Sequence, residues 1–392
     1  MFNDTIFAKR MGRLGTESAF EVLSRAKALE AQGRSIIHLE IGQPDFFAPR
    51  HIQEGAAQAI RDGFTKYTDS QGIREVREGL AEYCRVYKHV NVGPEEIVVV
   101  PGGKPIIFYT MLALIDQGDE VIYPNPGFPV YESCINFAGG KPVPLPILQK
   151  NDFRIDPEEL KALITPKTRL IVLNNPANPT GGLLRQEDIQ QIAEILEGTN
   201  AYILSDEIYS RLVFDHSPVT SIASLPGMKE RTIILESFSK TYAMPGWRLG
   251  YGVANKNLIA QINRLMINSN SCTSAFVQMS ALSAIQGDQE AVVMMCDQYQ
   301  ARSRYLTDAL NSIPGVACKM PEGAFYLFPD ISGLGLKSKA FADRLLLEGG
   351  VAALSGTDFG TYGEGHIRFS VAASMEDLQE GFRRFAAFVA GL

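Results

Sequence analysis

The stretch T-I-I-L-E-S-F-S-K-T-Y-A-M-P-G-W-R-L-G-Y-G-V, residues 232–253, contains two short apolar runs, at 232–235 and 249–253. Similar runs precede it, and helix-like segments such as 185–196 and 258–268 separate most of them. Short continuous apolar runs of this kind are typical of strands in a mostly parallel sheet, buried on both faces beneath helices. The sequence therefore predicts a large α/β domain. The earlier runs lie at residues 97–100, 120–123, 170–173 and 202–204.

The two ends of the chain do not continue this alternation. Residues 325–328 and 367–371 have the pattern of strands, and a helical pattern at 338–347 lies between them. Two domains also agree with the length of 392 residues, because a single hydrophobic core rarely serves a chain of that size. The expected domains are residues 46–288 for the large α/β domain, and residues 1–45 together with 289–392 for a smaller, discontinuous α+β domain.

The composition is that of a soluble globular protein, with 45% hydrophobic and 21% charged residues. The formal net charge is −7 and no block of like charges occurs, so nothing favours nucleic acid or an anionic membrane as a partner. The five cysteines form no C-x-x-C pair and the histidines lack metal-ligand spacing, so neither a disulfide framework nor a metal site is expected. The first residues lack a signal-peptide pattern, and no run of about 18 apolar residues follows. We therefore expect a cytoplasmic protein.

Serines, a lysine and an arginine follow the apolar run at 232–235. Lys240 alone would be interpreted as a solvent-exposed loop residue, as most lysines are. However, Ser237, Ser239 and Arg248 supply hydroxyl donors and a planar cation near the same strand end, which suits phosphate binding. A lysine beside a phosphate site favours an imine with a phosphorylated aldehyde.

A pair of glycines follows the run at 97–100. Gly102 and Gly103 allow the backbone to approach a ligand, while Lys104 and Pro105 stand where a helix is expected to begin. The free amides of that helix start would face an anion. Considered alone, the glycines are explained better by an ordinary strand-to-helix turn. Because no G-x-G-x-x-G motif occurs, a dinucleotide site is disfavoured.

Asp206 and Tyr209 follow the run at 202–204. An aspartate at a strand end could simply cap the next helix. If pyridoxal phosphate is bound, the aspartate has another use, because it keeps the ring nitrogen protonated and makes the ring an electron sink. Asn178, which follows the run at 170–173, and Tyr209 are then candidates to donate hydrogen bonds to the phenolate oxygen of the ring.

The chain as a whole resembles the class I and II aminotransferases of the fold type I pyridoxal phosphate enzymes. The resemblance extends over nearly the whole chain, and its motifs are specific in combination rather than singly. It implies a large domain with a mostly parallel seven-stranded sheet flanked by helices, a smaller α+β domain from both chain ends, and pyridoxal 5'-phosphate as the cofactor. The motifs that carry it are I-G-Q-P-D-F (41–46), K-Y-T-D-S-Q-G (66–72), N-N-P-A-N-P-T-G (174–181), S-F-S-K-T-Y-A-M-P-G-W-R-L-G (237–250) and G-H-I-R-F-S (365–370).

The resemblance also implies roles for individual residues at the cofactor. Lys240 matches the lysine that forms the Schiff base and then acts as the proton-transferring base. Asp206 matches the partner of the ring nitrogen, and Asn178 and Tyr209 match the contacts of the phenolate oxygen. Phe128 falls where the family stacks an aromatic ring on the cofactor, although a core phenylalanine fits that position nearly as well. The positions that match the phosphate site are Gly103, Lys104, Ser237 and Arg248.

Further positions resemble the substrate and subunit contacts of the family. Arg368 matches the arginine that binds the substrate α-carboxylate, and Gly42 and Asn178 lie where further substrate contacts are made. Tyr67 matches a tyrosine that reaches the cofactor phosphate of the neighbouring subunit, which implies a homodimer with shared active sites. The implied reaction is a ping-pong transfer of an amino group between an L-amino acid and a 2-oxo acid.

Two questions stay open at this stage. The cofactor residues are equally consistent with a β-lyase, a cyclising synthase or an amino acid oxidase of the same fold, and a binding module is a further alternative because a fold does not fix activity. Some aspartate-using relatives have a lysine where this chain has Leu112, so a dicarboxylic substrate is in doubt unless another cation, such as Arg13 or Arg25, takes its place.

Overall fold

The computed structural model describes residues 7–392, in which strands and helices alternate as the sequence predicts. The strands are β1 (Ile37–His38), β2 (Ile97–Val100), β3 (Glu120–Asn125), β4 (Lys141–Pro146), β5 (Thr168–Asn174), β6 (Tyr202–Asp206), β7 (Thr232–Ser237), β8 (Gly250–Val253), β9 (Tyr326–Leu327), β10 (Val351–Ala352), β11 (Leu354–Ser355) and β12 (Ile367–Ser370). The helices are α1 (Ser18–Glu30), α2 (Arg50–Arg61), α3 (Arg74–Tyr87), α4 (Lys104–Leu114), α5 (Val130–Ala138), α6 (Pro157–Leu163), α7 (Gln186–Leu196), α8 (Phe238–Thr241), α9 (Lys256–Ser269), α10 (Ala275–Gln286), α11 (Glu290–Asn311), α12 (Ser338–Arg344) and α13 (Met375–Ala390).

Seven of the strands form one sheet in the order β2-β8-β7-β6-β5-β3-β4. The strands from β7 to β4 in this order run parallel to one another. β8 is the exception, because it lies antiparallel to both of its neighbours, β2 and β7. The expectation of a mostly parallel seven-stranded sheet is confirmed, and six of its strands coincide with the predicted apolar runs.

The seventh strand, β4, is not an apolar run, because its sequence is K-P-V-P-L-P, and the sequence pattern therefore does not predict it. Proline has no N–H to donate and is therefore confined to sheet edges and strand ends. β4 lies at the edge of the sheet beside β3. The amides of Lys141 and Ile147 donate to the backbone oxygens of Asp119, just before β3, and Asn125, at the end of β3. Because these residues alternate with the prolines, the proline nitrogens point away from β3, toward the unpaired edge of the sheet.

Both faces of the sheet are buried, as β5 illustrates. Leu170 and Val172 belong to the apolar cluster that includes α4 and α9, whereas Ile171 and Leu173 belong to the cluster that includes α7. Successive side chains of a strand point to opposite faces, so a strand covered on both sides needs apolar residues throughout. Among residues 7–392, no helix combines the length and the apolar character needed to cross a membrane.

The two ends of the chain supply the remaining strands. β1 pairs in parallel with β10, and β12 lies between β11 and β9 in an antiparallel sheet. A separate apolar cluster, which includes Phe341, Phe369 and Phe385, packs β9, β10 and β12 against α12 and α13. The strands predicted near 325–328 and 367–371 are thus confirmed, whereas the helix predicted at 338–347 ends at Arg344, where a turn of π-helix begins. The exact limits of the two domains along the chain stay a prediction.

Candidate active site

A cavity of about 500 Å³ opens at the carboxyl ends of the parallel strands. The strands β5, β6 and β7 end in Asn174, Asp206 and Ser237, and each of these residues lines the cavity. Ligands of α/β sheets bind at this edge, in the crevice beyond the carboxyl ends of the strands. The position of the cavity therefore agrees with the polar residues that the sequence places after each apolar run.

Most of the residues selected from the sequence meet in this cavity. Two of them lie outside its wall. Gly102 lies next to Arg248, and Tyr67 stands apart, with 89% of its surface exposed in the single chain. The selected residues that line the cavity are Gly42, Gly103, Lys104, Phe128, Asn178, Asp206, Tyr209, Ser237, Ser239, Lys240, Arg248 and Arg368.

Lys240 lies on α8, a one-turn helix that begins directly after β7. Ser237 caps this helix, because its Oγ accepts a hydrogen bond from the Ser239 amide at 3.2 Å. The Nζ of Lys240 donates to the backbone oxygen of Gly42. Burial, together with the positive charge of Arg368, lowers the pKa of Lys240 to about 8. A larger share of this amine is therefore unprotonated and nucleophilic at neutral pH than in an ordinary lysine.

Asp206 is a buried carboxylate, with 4% of its surface exposed. Its Oδ2 accepts from the Tyr131 hydroxyl at 2.6 Å and its Oδ1 from the Ile208 amide at 3.3 Å. Within residues 7–392 its hydrogen-bond donors are this phenol and this amide, and neither is cationic. Burial raises the pKa of Asp206 to about 7, because the charged form has lost its water. A cationic ligand would restore the charged form.

Arg368 is the opposite case, a buried guanidinium on β12 with 4% of its surface exposed. Its Nη1 donates to Asn178 Oδ1 at 3.0 Å, and its Nη2 donates to the backbone oxygen of Glu40. Its Nε has no partner among the described residues, and no carboxylate of that part of the chain pairs with the guanidinium. Burial lowers the pKa of Arg368 below its ordinary value. A ligand carboxylate would supply the missing anion.

A third part of the cavity has the groups that bind anions. The helix α4 begins at Lys104 with its first amides free, directly after Gly102 and Gly103. Gly102 has a φ of +84°, which favours glycine, and a Cβ there would lie 2.0 Å from Nη2 of Arg248, so a larger residue would be strained and would displace that guanidinium. The hydroxyls of Ser237, at the end of β7, and of Ser239, in α8, lie 2.9 Å apart. These groups suit a phosphate.

The structure adds residues that the sequence analysis missed. Tyr131 donates to Asp206, and the hydroxyl of Tyr326 lies 2.9 Å from that of Tyr209. Asn174 accepts from the Asn178 amide at 2.8 Å and donates to the Asp206 backbone oxygen at 3.2 Å, so it fixes the ends of β5 and β6 together. Asn174 lies in the N-N-P motif at the end of a predicted strand, so the sequence could have indicated it as a site residue. The two tyrosines carry no such signal, because their partners are distant in the sequence.

The residues considered for a second substrate carboxylate lie elsewhere. Leu112, Arg13 and Arg25 are all outside the cavity wall. Arg25 pairs with Asp343 at 2.6 Å, and Arg13 lies beside Gly139 at the end of α5. Lys104, an exposed cation that lines the cavity, forms an ion pair with Glu17.

Comparison with known proteins gives concordant matches. Residues 34–385 match the family model described as aminotransferase class I and II. The chain is 37% identical over 373 residues to an aspartate aminotransferase of Musicola paradisiaca (strain Ech703), which covers 95% of this chain and 93% of that protein. It is 38% identical over 358 residues to aromatic-amino-acid aminotransferase 2 of Thermococcus litoralis, which covers 90% of this chain and 92% of that protein. It matches the crystal structure of the aspartate aminotransferase from Rhizobium meliloti with a TM-score of 0.94 and 32% identity, over 100% of this chain and 99% of that chain.

Proposed function

The chain belongs to the class I and II aminotransferases, a family of pyridoxal phosphate-dependent enzymes, and from that premise we propose how its cavity holds the cofactor and transfers an amino group. The proposed reaction moves the amino group of an L-amino acid to a 2-oxo acid in two half-reactions that share the site. One observation carries the proposal. A buried carboxylate and a buried guanidinium, each without a charged partner among residues 7–392, share one cavity with a lysine whose pKa is lowered to about 8.

The cavity residues fit pyridoxal phosphate in three respects. A protonated ring nitrogen would supply the cation that Asp206 lacks. The free amides at Gly103 and Lys104, with the side chains of Ser237, Ser239 and Arg248, match a phosphate in charge and in donor type. Lys240 offers an amine of lowered pKa to the aldehyde carbon. The remaining contacts that we assign to the cofactor are Phe128 on the ring face, Asn178 and Tyr209 on the phenolate oxygen, and Gly102 behind the phosphate site.

When bound, the cofactor supplies a protonated ring that withdraws electrons from the substrate Cα. Arg368 binds and orients the α-carboxylate, a task for which its planar fork is suited, and the backbone of Gly42 contacts the same end of the substrate. Lys240 acts as the general base that takes the Cα proton, and a pKa near the working pH suits this role. Asp206, as a carboxylate, holds the proton at the ring nitrogen.

Covalent attachment tests the assignment of Lys240. We expect the purified protein to be yellow, and we expect borohydride reduction to fix the cofactor to the peptide that contains Lys240. Mass spectrometry of a proteolytic digest measures this directly. A label on another lysine, or no label, would contradict the assignment.

The nearest competing function is a β-lyase, which would use the same cofactor residues. Product analysis separates the two reactions, because amino transfer requires an oxo acid acceptor whereas a β-lyase releases pyruvate and ammonia without one. In the absence of 2-oxoglutarate and pyruvate, we expect no more than one 2-oxo acid released per site and no ammonia. Steady release of ammonia without an acceptor would favour the β-lyase.

We also propose that the enzyme is a homodimer in which Tyr67 contributes to the site of the partner subunit. Tyr67 is 89% exposed in the single chain. Aromatic residues, tyrosine among them, are enriched at protein–protein interfaces. In a dimer with twofold symmetry, one such surface would complete both sites.

A further inference from the structure

The mouth of the cavity is partly closed by residues 15–20, G-T-E-S-A-F, which we call the mouth segment. The Gly15 amide donates to Ser133 Oγ on α5 at 2.9 Å, which fixes the start of the segment. Glu17, Ala19 and Phe20 then line the cavity. The mouth segment therefore forms part of the wall that the substrate side chain meets.

Lys104 is neutralised by this segment. Its Nζ donates to Glu17 Oε1, and it also lies 5.5 Å from the ring centre of Phe20 and 5.7 Å from that of Phe128. A carboxylate and two ring faces are favourable surroundings for an ammonium group. The side chain of Glu17 is 17% exposed and that of Lys104 is 46% exposed, so the carboxylate is the better shielded partner of this ion pair. Lys104 is consequently not a free cation.

Each charged side chain of the described cavity wall then has an assigned partner or ligand. The cations are Lys104, Lys240, Arg248 and Arg368, and the anions are Glu17 and Asp206. Under the proposed function, Lys240 and Arg248 hold the cofactor and Arg368 binds the α-carboxylate. Within residues 7–392 the cavity wall then keeps no cation for a second carboxylate of the substrate.

A second carboxylate would also have to compete with the carboxylate of Glu17 for Lys104. Both charges of the pair act within the cavity, because Glu17 opposes the lowering of the Arg368 pKa that burial causes, whereas Lys104 adds to the lowering of the Lys240 pKa. Much of the remaining wall at the mouth is apolar and includes Phe20, Ile41, Ile107 and Phe128. A site discriminates against a ligand when it leaves the ligand's charge without a partner, so a wall of this kind selects against dicarboxylic substrates.

We propose that Glu17 determines substrate specificity by masking Lys104, so that the enzyme prefers amino acids with uncharged, apolar side chains over aspartate and glutamate. This inference rests on the proposed function and narrows its substrate class. The relatives reported above are named for aspartate and for aromatic amino acids, so similarity alone does not select the side chain.

The kinetic test compares leucine, phenylalanine, aspartate and ornithine as amino donors, with pyruvate as the acceptor. We expect leucine or phenylalanine to exceed aspartate at least about tenfold in kcat/KM, the size of one charge interaction at a partly shielded site. Glu17→Gln releases Lys104 and should raise the ratio of the aspartate value to the leucine value about tenfold. Glu17→Gln combined with Lys104→Met should return that ratio to the wild-type range.

Glu21→Gln is the matched control, because it removes the same charge from α1 at an exposed position outside the cavity wall. It should leave the ratio unchanged. A wild-type preference for aspartate or ornithine would overturn the inference, and so would equal ratios in Glu17→Gln and Glu21→Gln.

Calorimetry of the cofactor-loaded enzyme gives a readout that does not depend on turnover. We expect 4-methylpentanoate to bind more tightly than succinate, and we expect Glu17→Gln to reduce that difference about tenfold. Succinate binding more tightly to the wild type would contradict the masking of Lys104. Failure of the proposed function would look different, because then no donor would yield amino transfer and Lys240 would carry no label.

Discussion

Two groups of buried charges lie side by side in this molecule, and they differ in one respect. Asp206, Lys240 and Arg368, the open cluster, line the cavity and lack charged partners among residues 7–392. Lys88, Glu207 and Glu236, the closed cluster, form a complete network. Members of the two clusters are close in the sequence, since Glu207 directly follows Asp206 and Glu236 lies four residues before Lys240.

The closed cluster satisfies its own charges. The Nζ of Lys88 donates to Glu207 at 2.7 Å and also to Glu236. Serine hydroxyls complete the network, with Ser210 donating to Glu236 at 2.7 Å and Ser221 to Glu207 at 2.6 Å. Burial opposes the charge of Lys88, yet the two carboxylates raise its pKa above the ordinary value. Buried charges that serve the fold are thus paired within the chain.

Burying the open cluster lowers the free energy of unfolding, and no ion pair within the described chain offsets this loss. A buried charge without a partner is unfavourable and shifts its own pKa, as Asp206 and Lys240 do in opposite directions. Shifts of this kind in a cavity are typical of functional sites. The comparison therefore predicts that substitutions in the open cluster reduce activity, and that substitutions in the closed cluster reduce stability.

The largest effect is expected for Lys240→Ala. Turnover should fall by about 10⁴-fold, the upper end of what a general base contributes. The cofactor should still bind through its phosphate, and the unfolding midpoint of the cofactor-free protein should change little, because Lys240 has no ion pair to lose. Turnover and urea denaturation of the same preparation measure both quantities. A large loss of stability would place Lys240 with the closed cluster and break the comparison.

Lys88→Met should show the reverse pattern, a loss of stability. It leaves two buried carboxylates without their cation, and breaking a buried pair in this way costs about 3–5 kcal/mol of unfolding free energy. Urea denaturation of the cofactor-free protein measures it. Lys339→Met is the matched control, because it breaks an ion pair with Asp343 at 2.7 Å on the surface and should cost less than about 1 kcal/mol.

A triple variant sharpens the interpretation of Lys88. Lys88→Met combined with Glu207→Gln and Glu236→Gln removes all three charges, so it should recover part of the lost stability. If the triple variant is no more stable than Lys88→Met, lost packing rather than unpaired charge explains the effect.

Arg368→Leu is expected to have a smaller effect, confined to substrate binding. Removing a charged hydrogen-bonding fork should raise KM for the amino donor by about 10- to 100-fold, which corresponds to about 1.5–3 kcal/mol. Arg368→Lys keeps the charge but loses the fork and should fall between the wild type and Arg368→Leu. Steady-state kinetics decide the point, and an unchanged KM would contradict the carboxylate contact.

The same comparison explains what the sequence could predict. Lys240, Asp206 and Gly103 were accessible because each follows a strand end in a local motif, and topology brings such ends together. Tyr131, Tyr326 and Glu17 could not be predicted in this way, because each contacts a site residue that is distant in the sequence. The closed cluster was missed for the same reason. In the fold, β4 was missed because its alternating prolines conceal an edge strand.

The smallest expected effect is the activity recovered when two inactive variants form mixed dimers. This experiment tests whether a residue of the partner subunit completes the cavity that contains the open cluster. We expect Lys240→Ala and Tyr67→Ala each to abolish most activity, because one removes the proposed base and the other a proposed contact of the partner subunit's phosphate site. The two variants are mixed in equal amounts, unfolded and refolded together. Half of the dimers should then contain one chain of each kind.

In such a mixed dimer the two lesions fall in one site and leave the other intact, so about a quarter of all sites should be active. Activity near a quarter of the wild-type value would place Tyr67 in the partner's site. Each variant refolded alone is the control, and native mass spectrometry verifies that mixed dimers form. If mixed dimers are present and the activity is only the average of the two parents, Tyr67 serves its own chain. The open cluster would then be complete within one subunit, and the exposure of Tyr67 would have no part in catalysis.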